Sequence, residues 1–464
     1  MPINSTHPKY KTRESQWRKC RDAFEGEDAI KKAGTTYLPK LKGQSDDDYK
    51  SYKGRALFYS ITAKSVSALV GMATSKAPKI EYPDSMDIYF NGSRMIQFSE
   101  VYSLVLSEVL LQSRCGVLVD MPADGGDPYP AVYQAEDIIN WRMDEGGKLR
   151  MVILREEVDD FVDEYETNSV IQYRELRLTD DNVYTQRIYN AEGVFIDEPT
   201  PVVRGKPLDY IPFFTVNPIG TGLTDHKPLM LDIANINISH YLSSADLEHG
   251  RHFTGLPTPV VIGADSNSDL YIGSTKFLII PDKGGDAKYL EFTGQGLQSL
   301  EKAMTEKQSL LASMSARLLD NSSRGSEAAD AVKLRYMSET ASLTTVVNAV
   351  SIILNMTYKL IAQIKGESES DFNLTLDTDF MESILSGPDM TALFNGYISG
   401  AISKETLVFN LRKGRRLDPL RSDDDELKAI QRILPTTSNN PANPQPNDSN
   451  KPDQKPNPDL PTNQ

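Results

Sequence analysis

Between Gly296 and Lys365 two long helical patterns follow each other with a single interruption, the polar, flexible segment Asp320-Asn321-Ser322-Ser323-Arg324-Gly325-Ser326. The first pattern sets Leu297, Leu300, Met304, Leu311, Met314 and Leu318 at three- and four-residue spacings. That is one buried stripe with a single gap at Lys307, and the opposite face is Gln, Ser, Thr, Glu and Lys. The second pattern runs from about Glu327 to Lys365 through Val332, Leu343, Val346, Val347, Val350, Ile353, Leu354, Ile361 and Ile364. At about 1.5 Å per residue it reaches roughly 60 Å. Few single-domain enzymes need such a rod. No strict heptad persists and no repeat is present, so the pattern predicts one long helix crossing a larger assembly, a layout suited to mechanics.

The chain has 464 residues, 39% of them hydrophobic, enough for a sizeable core and, on length alone, about three domains. Acidic side chains outnumber basic ones 65 to 50, for a net charge of −15. DNA, as a partner, is therefore not gripped by the overall charge, because non-specific affinity comes from Lys and Arg displacing counterions. A protein that lets DNA slide carries this sign, and so does an ordinary acidic protein kept soluble by its charge. Cys20 and Cys115 are too few for a disulfide framework or a four-ligand zinc site, and neither sits in a CxxC pair. They fit a reducing compartment. Lys9, Lys11, Arg13, Arg18 and Lys19 are followed by no apolar block, so a signal peptide is not expected, and no run of about 18 apolar residues predicts a membrane span.

Along the chain, residues 1–54 read as a polar helical region with the acidic run Asp46-Asp47-Asp48. A helix is expected from Arg55 to Thr74, stopping before Ala77-Pro78, and another from Ile96 to Gln112, where Glu108 lies among Val101, Leu104, Val105, Val109 and Leu111. From Gly116 the period becomes two. Val117 and Val119, then Met151–Leu154, Val170–Leu176, Val183–Thr185 and Val194–Ile196, predict one meandering antiparallel sheet. A long helix follows from about Pro228 to His252. Between it and the Gly296 helix lies a β-rich insert of some forty residues, with strand candidates Pro259–Ile262, Lys276–Ile280 and Lys288–Phe292 and a hairpin turn at Asp282-Lys283-Gly284-Gly285. So small a unit needs neighbours. The fold class read from these patterns is α+β.

Helix, small β module, helix, polar loop, very long helix: in this order the chain resembles the portal protein of tailed bacteriophages. The phrases Tyr37-Leu38-Pro39-Lys40 and Tyr52-Lys53-Gly54-Arg55-Ala56 are similar to the entrance of one portal subgroup. The resemblance is architectural and covers most of the chain. It implies a β-rich wing at 55–225, stem helices at 226–254 and 295–319 and a clip at 255–294. It further implies a tunnel loop at 320–326, a long wing helix at 327–366 and a helical crown at 367–433, ahead of the tail 434–464. In that family twelve copies form a ring at one capsid vertex, assembled in the host cytoplasm and carried in the virion. The implied partners are further copies of the chain, the terminase large subunit, a head-tail connector or adaptor protein, the major capsid and scaffolding proteins, and double-stranded DNA passing without sequence readout. No membrane is implied.

The tunnel loop would present Asn321, Ser322, Ser323, Arg324, Gly325 and Ser326, small polar groups plus one cation, as a low-friction collar with sparse phosphate contacts. An ordinary helix-helix turn is the competing reading. Arg412, Lys413, Arg415 and Arg416, with Arg421 nearby, are candidate DNA contacts in the crown; helix C-terminal cations beside Gly414, placed by the macrodipole, explain them as well. Lys276, Asp282, Lys283, Asp286 and Lys288 form the candidate docking surface of the clip.

Enzyme readings find little support. Arg324-Gly325-Ser326 lacks the spacing and the lysine of a phosphate-cradling loop, and no GxGxxG opens a helix after a strand. His240, His249 and His252 read as surface or interface histidines rather than a metal set, since His240 lies half a turn away from the other two. The acidic runs Glu156, Glu157, Asp159, Asp160, Asp163, Glu164 and Asp423-Asp424-Asp425-Glu426 read as solvated faces. No catalytic, cofactor-binding or metal-ligating residue is singled out. A virion assembly or scaffold-like binding protein without a DNA channel is the alternative class, and an enzyme would instead need a concave pocket with convergent ionisable groups. The tail, rich in Pro, Asn, Asp, Gln and Lys, cannot offset its ordering entropy and is expected to be disordered.

Overall fold

The computed structural model describes residues 2–92, 97–122, 126–255, 258–262, 286–290, 295–316, 329–378, 380, 387–414, 416–418 and 421–433. Its helices are α1 Pro8–Glu25, α2 Glu27–Ala33, α3 Asp46–Arg55, α4 Ile61–Ala73, α5 Asp87–Phe90, α6 Phe98–Gln112, α7 Leu231–Gly255, α8 Gln295–Ala316, α9 Ala329–Lys365, α10 Gly387–Ile398, α11 Lys404–Lys413 and α12 Asp423–Ile433. The fold is α+β, as expected. It divides into two compact units, Met1–Phe380 and Met381–Gln464.

In the first unit α1 begins at Pro8, a position that needs no backbone donor, and buries Tyr10, Trp17, Cys20 and Ala23 along one face. Trp17 is locked reciprocally to α6: its Nε1 donates to the Gln112 carbonyl at 3.1 Å, and Gln112 Nε2 donates to the Trp17 carbonyl at 3.0 Å. The helix expected from Arg55 to Thr74 begins later, as α4 at Ile61, because α3 ends at Arg55 and residues 56–60 are non-helical. The cause lies in α7. Fully buried Asn237 donates to the Tyr59 carbonyl at 2.8 Å and accepts from both the amide (3.2 Å) and the hydroxyl (3.1 Å) of Thr62. A distant side chain thus caps α4 and pins the strand-like residues before it.

The strands are β1 Lys79–Glu81, β2 Cys115–Asp120, β3 Tyr129–Gln134, β4 Ile138–Met143, β5 Leu149–Phe161, β6 Thr167–Leu178, β7 Tyr184–Asn190, β8 Phe195–Asp197, β9 Val202–Val203, β10 Lys206–Pro207, β11 Phe213–Asn217, β12 Gly220–Thr221, β13 Thr258–Ile262, β14 Asp286–Leu290 and β15 Asn373–Thr375. β4 to β8 form the expected antiparallel meander. Val117 and Val119 do not join it. They lie on β2 in a separate sheet of order β12-β11-β2-β3, because β11 returns from nearly a hundred residues downstream to pair with β2, Phe213 opposite Leu118. Gly116 permits this pairing to close over the core, since a Cβ there would meet the Phe213 ring at 2.3 Å.

α9 is the central beam of this unit. Leu343, Val346, Val347, Val350, Ile353, Leu354 and Ile361, the stripe read from the sequence, are all buried together with Tyr358, against α6 and the β12-β11-β2-β3 sheet. Each such side chain removed from water stabilises the fold by about 2 kcal/mol. Thr340–Lys365 is long and apolar enough to cross a membrane, yet 61% of its most apolar window is buried inside the protein. The helix stops at Gly366 (φ 109°), whose amide donates to the Ala362 carbonyl at 3.0 Å. The chain then turns back so that β15 pairs with β1, Leu374 opposite Ile80, and Phe372 enters the core. Residues 367–380 thus pack within the first unit, ahead of the helices that follow.

The second unit contains α10, α11 and α12. Ser403 caps α11 by accepting from the Thr406 amide at 3.1 Å, and Leu407, Val408 and Leu411 are buried on its inner side. Lys404 Nζ reaches the Leu427 carbonyl of α12 at 3.3 Å.

Candidate functional site

The element order singled out in the sequence is realised by α7 and α8, which pack antiparallel. Arg251 of α7 pairs with Glu301 of α8 at 2.8 Å, while Lys307 and Gln308 reach back to Ser243 and His240. Gly250 allows the closest approach, since a Cβ there would meet Leu297 at 2.4 Å. The gap in the α8 stripe is filled by a polar bridge: Lys307 Nζ donates to Ser243 Oγ at 2.6 Å and to the Ser239 carbonyl at 3.0 Å. Burial, and then the Lys307 charge, hold the His240 imidazole below its ordinary pKa. Its Nε2 lies 3.1 Å from Gln308 Nε2.

The two helices are unequal. α7 is built into the first unit through Ile233, Ala234, Ile238, Tyr241 and Ala245. Among the described side chains of α8 only Leu311 is buried, and Leu310 is 48% exposed. His249, whose pKa is also lowered by burial and by Arg55, packs edge-on against Tyr52 with Nδ1 3.2 Å from Arg55 Nη2. The histidines read in the sequence as a possible set are therefore divided, His240 facing α8 and His249 facing α3.

Between the two helices stands the β13–β14 hairpin, with Val260 opposite Lys288 and Ile262 opposite Asp286. This places two of the five clip docking candidates on one strand; Lys276, Asp282 and Lys283 lie outside the described residues. So do all six tunnel-loop candidates, Asn321 to Ser326, which fall between α8 and α9, and the tail from 434. In the second unit Arg412 and Lys413 end α11 before Gly414; Arg412 Nη1 donates to the Asp418 carbonyl at 3.2 Å, and the Arg416 amide to the Leu411 carbonyl at 2.9 Å. Arg412 thus helps close the turn leading to α12. Arg421 pairs with Glu426 at 3.5 Å, and Arg415 lies outside the described residues.

A concave feature with convergent ionisable groups does exist, a cleft of about 960 Å³ lined by α1, α2 and the segment around Glu136 and Asp137. Its inner charges answer one another. Arg21 is bidentate to Glu108 (2.8 and 2.6 Å) and also reaches Glu136 at 3.1 Å, while Gln112 donates to Glu136 at 3.0 Å. Asp137, lifted to about 6 by burial and by Glu136, faces Arg155 at 3.6 Å. The arrangement fastens α1 to α6 and the sheet. It was missed in the sequence, although a lone Glu108 on the apolar face of α6 was its signal.

Residues 228–364 match one family model. It is described as a domain of unknown function (DUF4055), and its span takes in both paired helices, the β13–β14 insert and α9 almost to its end. No curated protein matches the chain. Among solved structures, a chain from the neck of an empty gene transfer agent particle, computed with C6 symmetry, is 14% identical over 82% of this chain and 97% of that chain, with a TM-score of 0.37. A chain of the native gene transfer agent virion is 13% identical over 82% and 98%, at 0.36. A chain from the neck of the native particle, computed with C12 symmetry, is 14% identical over 76% and 89%, at 0.37. At these TM-scores the likeness decides neither fold nor function.

Proposed function

We propose that this chain is the portal subunit of a tailed-phage-like particle. In this reading copies assemble as a ring at one capsid vertex, pass double-stranded DNA along the axis, and dock a terminase and a head-tail connector through the β13–β14 module. The observation that carries it is the antiparallel α7–α8 pair with a two-stranded β insert between its helices, followed in the chain by a 37-residue helix whose far half is buried in the core of the first unit. In this reading the segment 320–326, which precedes that helix in the chain, is the loop at the axis. The largely uncovered side of α8 supports the same reading, since a second copy would cover it in a ring. The acidic total charge suits a channel that must not hold DNA tightly. Each subunit then does no covalent chemistry, and the cleft beside α1 is a structural ion-pair cluster.

Native mass spectrometry with negative-stain class averages tests this reading. Rings with an axial hole, about 620 kDa for twelve copies of 51.7 kDa, are expected. A closed dimer without a channel overturns it.

A further inference from the structure

Residues 56–60, the non-helical stretch before α4, lie against the α7–α8 pair and form a groove with it. The groove has a volume of about 310 Å³ and is lined by Leu57 and Tyr59, by Leu247 of α7, and by Met304, Thr305 and Gln308 of α8. The backbone of its first wall is fixed: the Leu57 amide donates to Ser244 Oγ at 3.0 Å, and the Tyr59 carbonyl accepts from Asn237 at 2.8 Å. Both side chains are nonetheless left in solvent, Leu57 58% exposed and Tyr59 49%. An apolar cavity of roughly half this volume takes up a benzene ring, so the groove has room for a branched aliphatic side chain.

The other side of α8 carries a matching projection. At 3.6 residues per turn Leu310 lies about 140° around the helix from Thr305 and about 160° from Gln308, so it points away from the groove. It is 48% exposed and shares its side of the helix with Ser299, Ala303 and Ser313, which are small enough for another surface to come close. Along the helix axis it stands only about 3 Å from Gln308 and 9 Å from Met304. The charges on that side are Lys302 and Glu306, both exposed and without an ion pair among the described residues. At one end of the groove Glu248 and Glu301 share Arg251, each at 2.8 Å, which leaves one carboxylate in surplus at the height of Lys302. Exposed Lys64, its ammonium 4.8 Å over the Tyr59 ring, puts a cation on the groove side as well, opposite in sign to Glu306.

We infer that Leu310 of one copy seats in the groove formed by Leu57, Tyr59 and Met304 of the next copy, with α8 running along the axis of the ring. The inference rests on the ring reading above and names the contact that would close it. A head-to-tail ring uses two different patches on opposite sides of each copy. Rotation about an axis moves nothing along it, so a knob and a groove meet only when they stand at one height. On α8 they do, to within two turns. A two-fold pairing would instead set Leu310 against Leu310 and leave the groove empty.

The test compares ring formation by the full chain and two variants at exposed positions, each first shown by thermal melting to be folded. Leu310→Asp alters the knob and Thr305→Trp fills the groove. Each should raise the chain concentration needed for rings by about tenfold or more. A Leu57→Cys, Leu310→Cys chain should give a covalent ladder on mild oxidation, since α8 separates the two positions within one copy and Cys20 and Cys115 are buried. If the native chain forms rings and both variants do so at the same concentration, the seat is overturned and the ring stands; a Leu310 covered by another virion protein gives that result. A double-cysteine chain that forms rings without a ladder also overturns the seat and leaves the ring intact. A native chain that stays monomeric overturns the ring and the seat together.

Discussion

Lys307 of α8 donates to the Ser243 hydroxyl of α7 at 2.6 Å, so the one break in the apolar stripe of α8 is the residue that stitches the two helices together. The same ammonium reaches the Ser239 carbonyl. Replacing Lys307 with Ala removes two charge-assisted hydrogen bonds and should destabilise the protein by about 2 kcal/mol, read as a lower urea midpoint. Lys307→Met, which restores the stripe, should lose less. Equal losses would mean that packing, and not the bridge, decides the contact.

Gly116 faces the Phe213 ring across the β2–β11 pair with no room for a methyl group. Gly116→Ala should destabilise by about 1–3 kcal/mol, because the ring and the Ile138 side chain beside it are core groups that must shift. A melting temperature within a degree of the native protein would contradict the geometry.

Glu108 is 3% exposed and its carboxylate is bidentate to Arg21. Burial pushes its pKa up, and the arginine opposes that. Removing only the cation, as Arg21→Ala, should cost about 3–5 kcal/mol by leaving a buried charge uncompensated. Arg21→Met with Glu108→Leu should be markedly more stable than the single variant. Parity of the two in denaturant titrations would show that the pair is better hydrated than its burial implies.

Asp137 has its pKa raised from 3.8 to about 6, by burial first and by Glu136 second. Between those values the folded chain holds a proton that the unfolded chain has lost, so this group's contribution to stability falls as pH rises from about 4 to 6 and is constant above. Asp137→Asn should therefore stabilise the protein at pH 7 relative to the native chain, with the gain shrinking toward pH 4. Thermal melts across that range check it; a difference independent of pH would remove the titration argument.

Arg324 is the one cation of the proposed tunnel loop. In the portal reading Arg324→Glu should leave rings intact while lowering packaged DNA several-fold, measured as nuclease-protected DNA per particle. Unchanged packaging would remove the main support for the loop's role.

The periodic elements were legible because their signals are local. The α9 stripe, the antiparallel meander and the α7 and α8 spans follow from three-and-four or alternate spacings that any packing partner must respect. The paired charges of the cleft were less so: Glu108 stood out on an apolar face, yet Arg21 lies far from it in the chain, and only folding brings the two within 2.6 Å.

By itself the sequence determined the α+β class, the order of helix, β insert, helix and long helix, and the net negative charge, since each depends on neighbours a few residues apart. Tertiary structure alone decided that α4 begins at Ile61 and not at Arg55, because Asn237 of a distant helix takes up the Tyr59 carbonyl and the Thr62 amide and hydroxyl. It also decided that β2 leaves the meander to pair with β11, and that β5 and β6 run on past their sheet as an acidic arm. Those outcomes depend on which distant segments satisfy a buried polar group or cover an apolar face, and short-range periodicity carries no record of that choice.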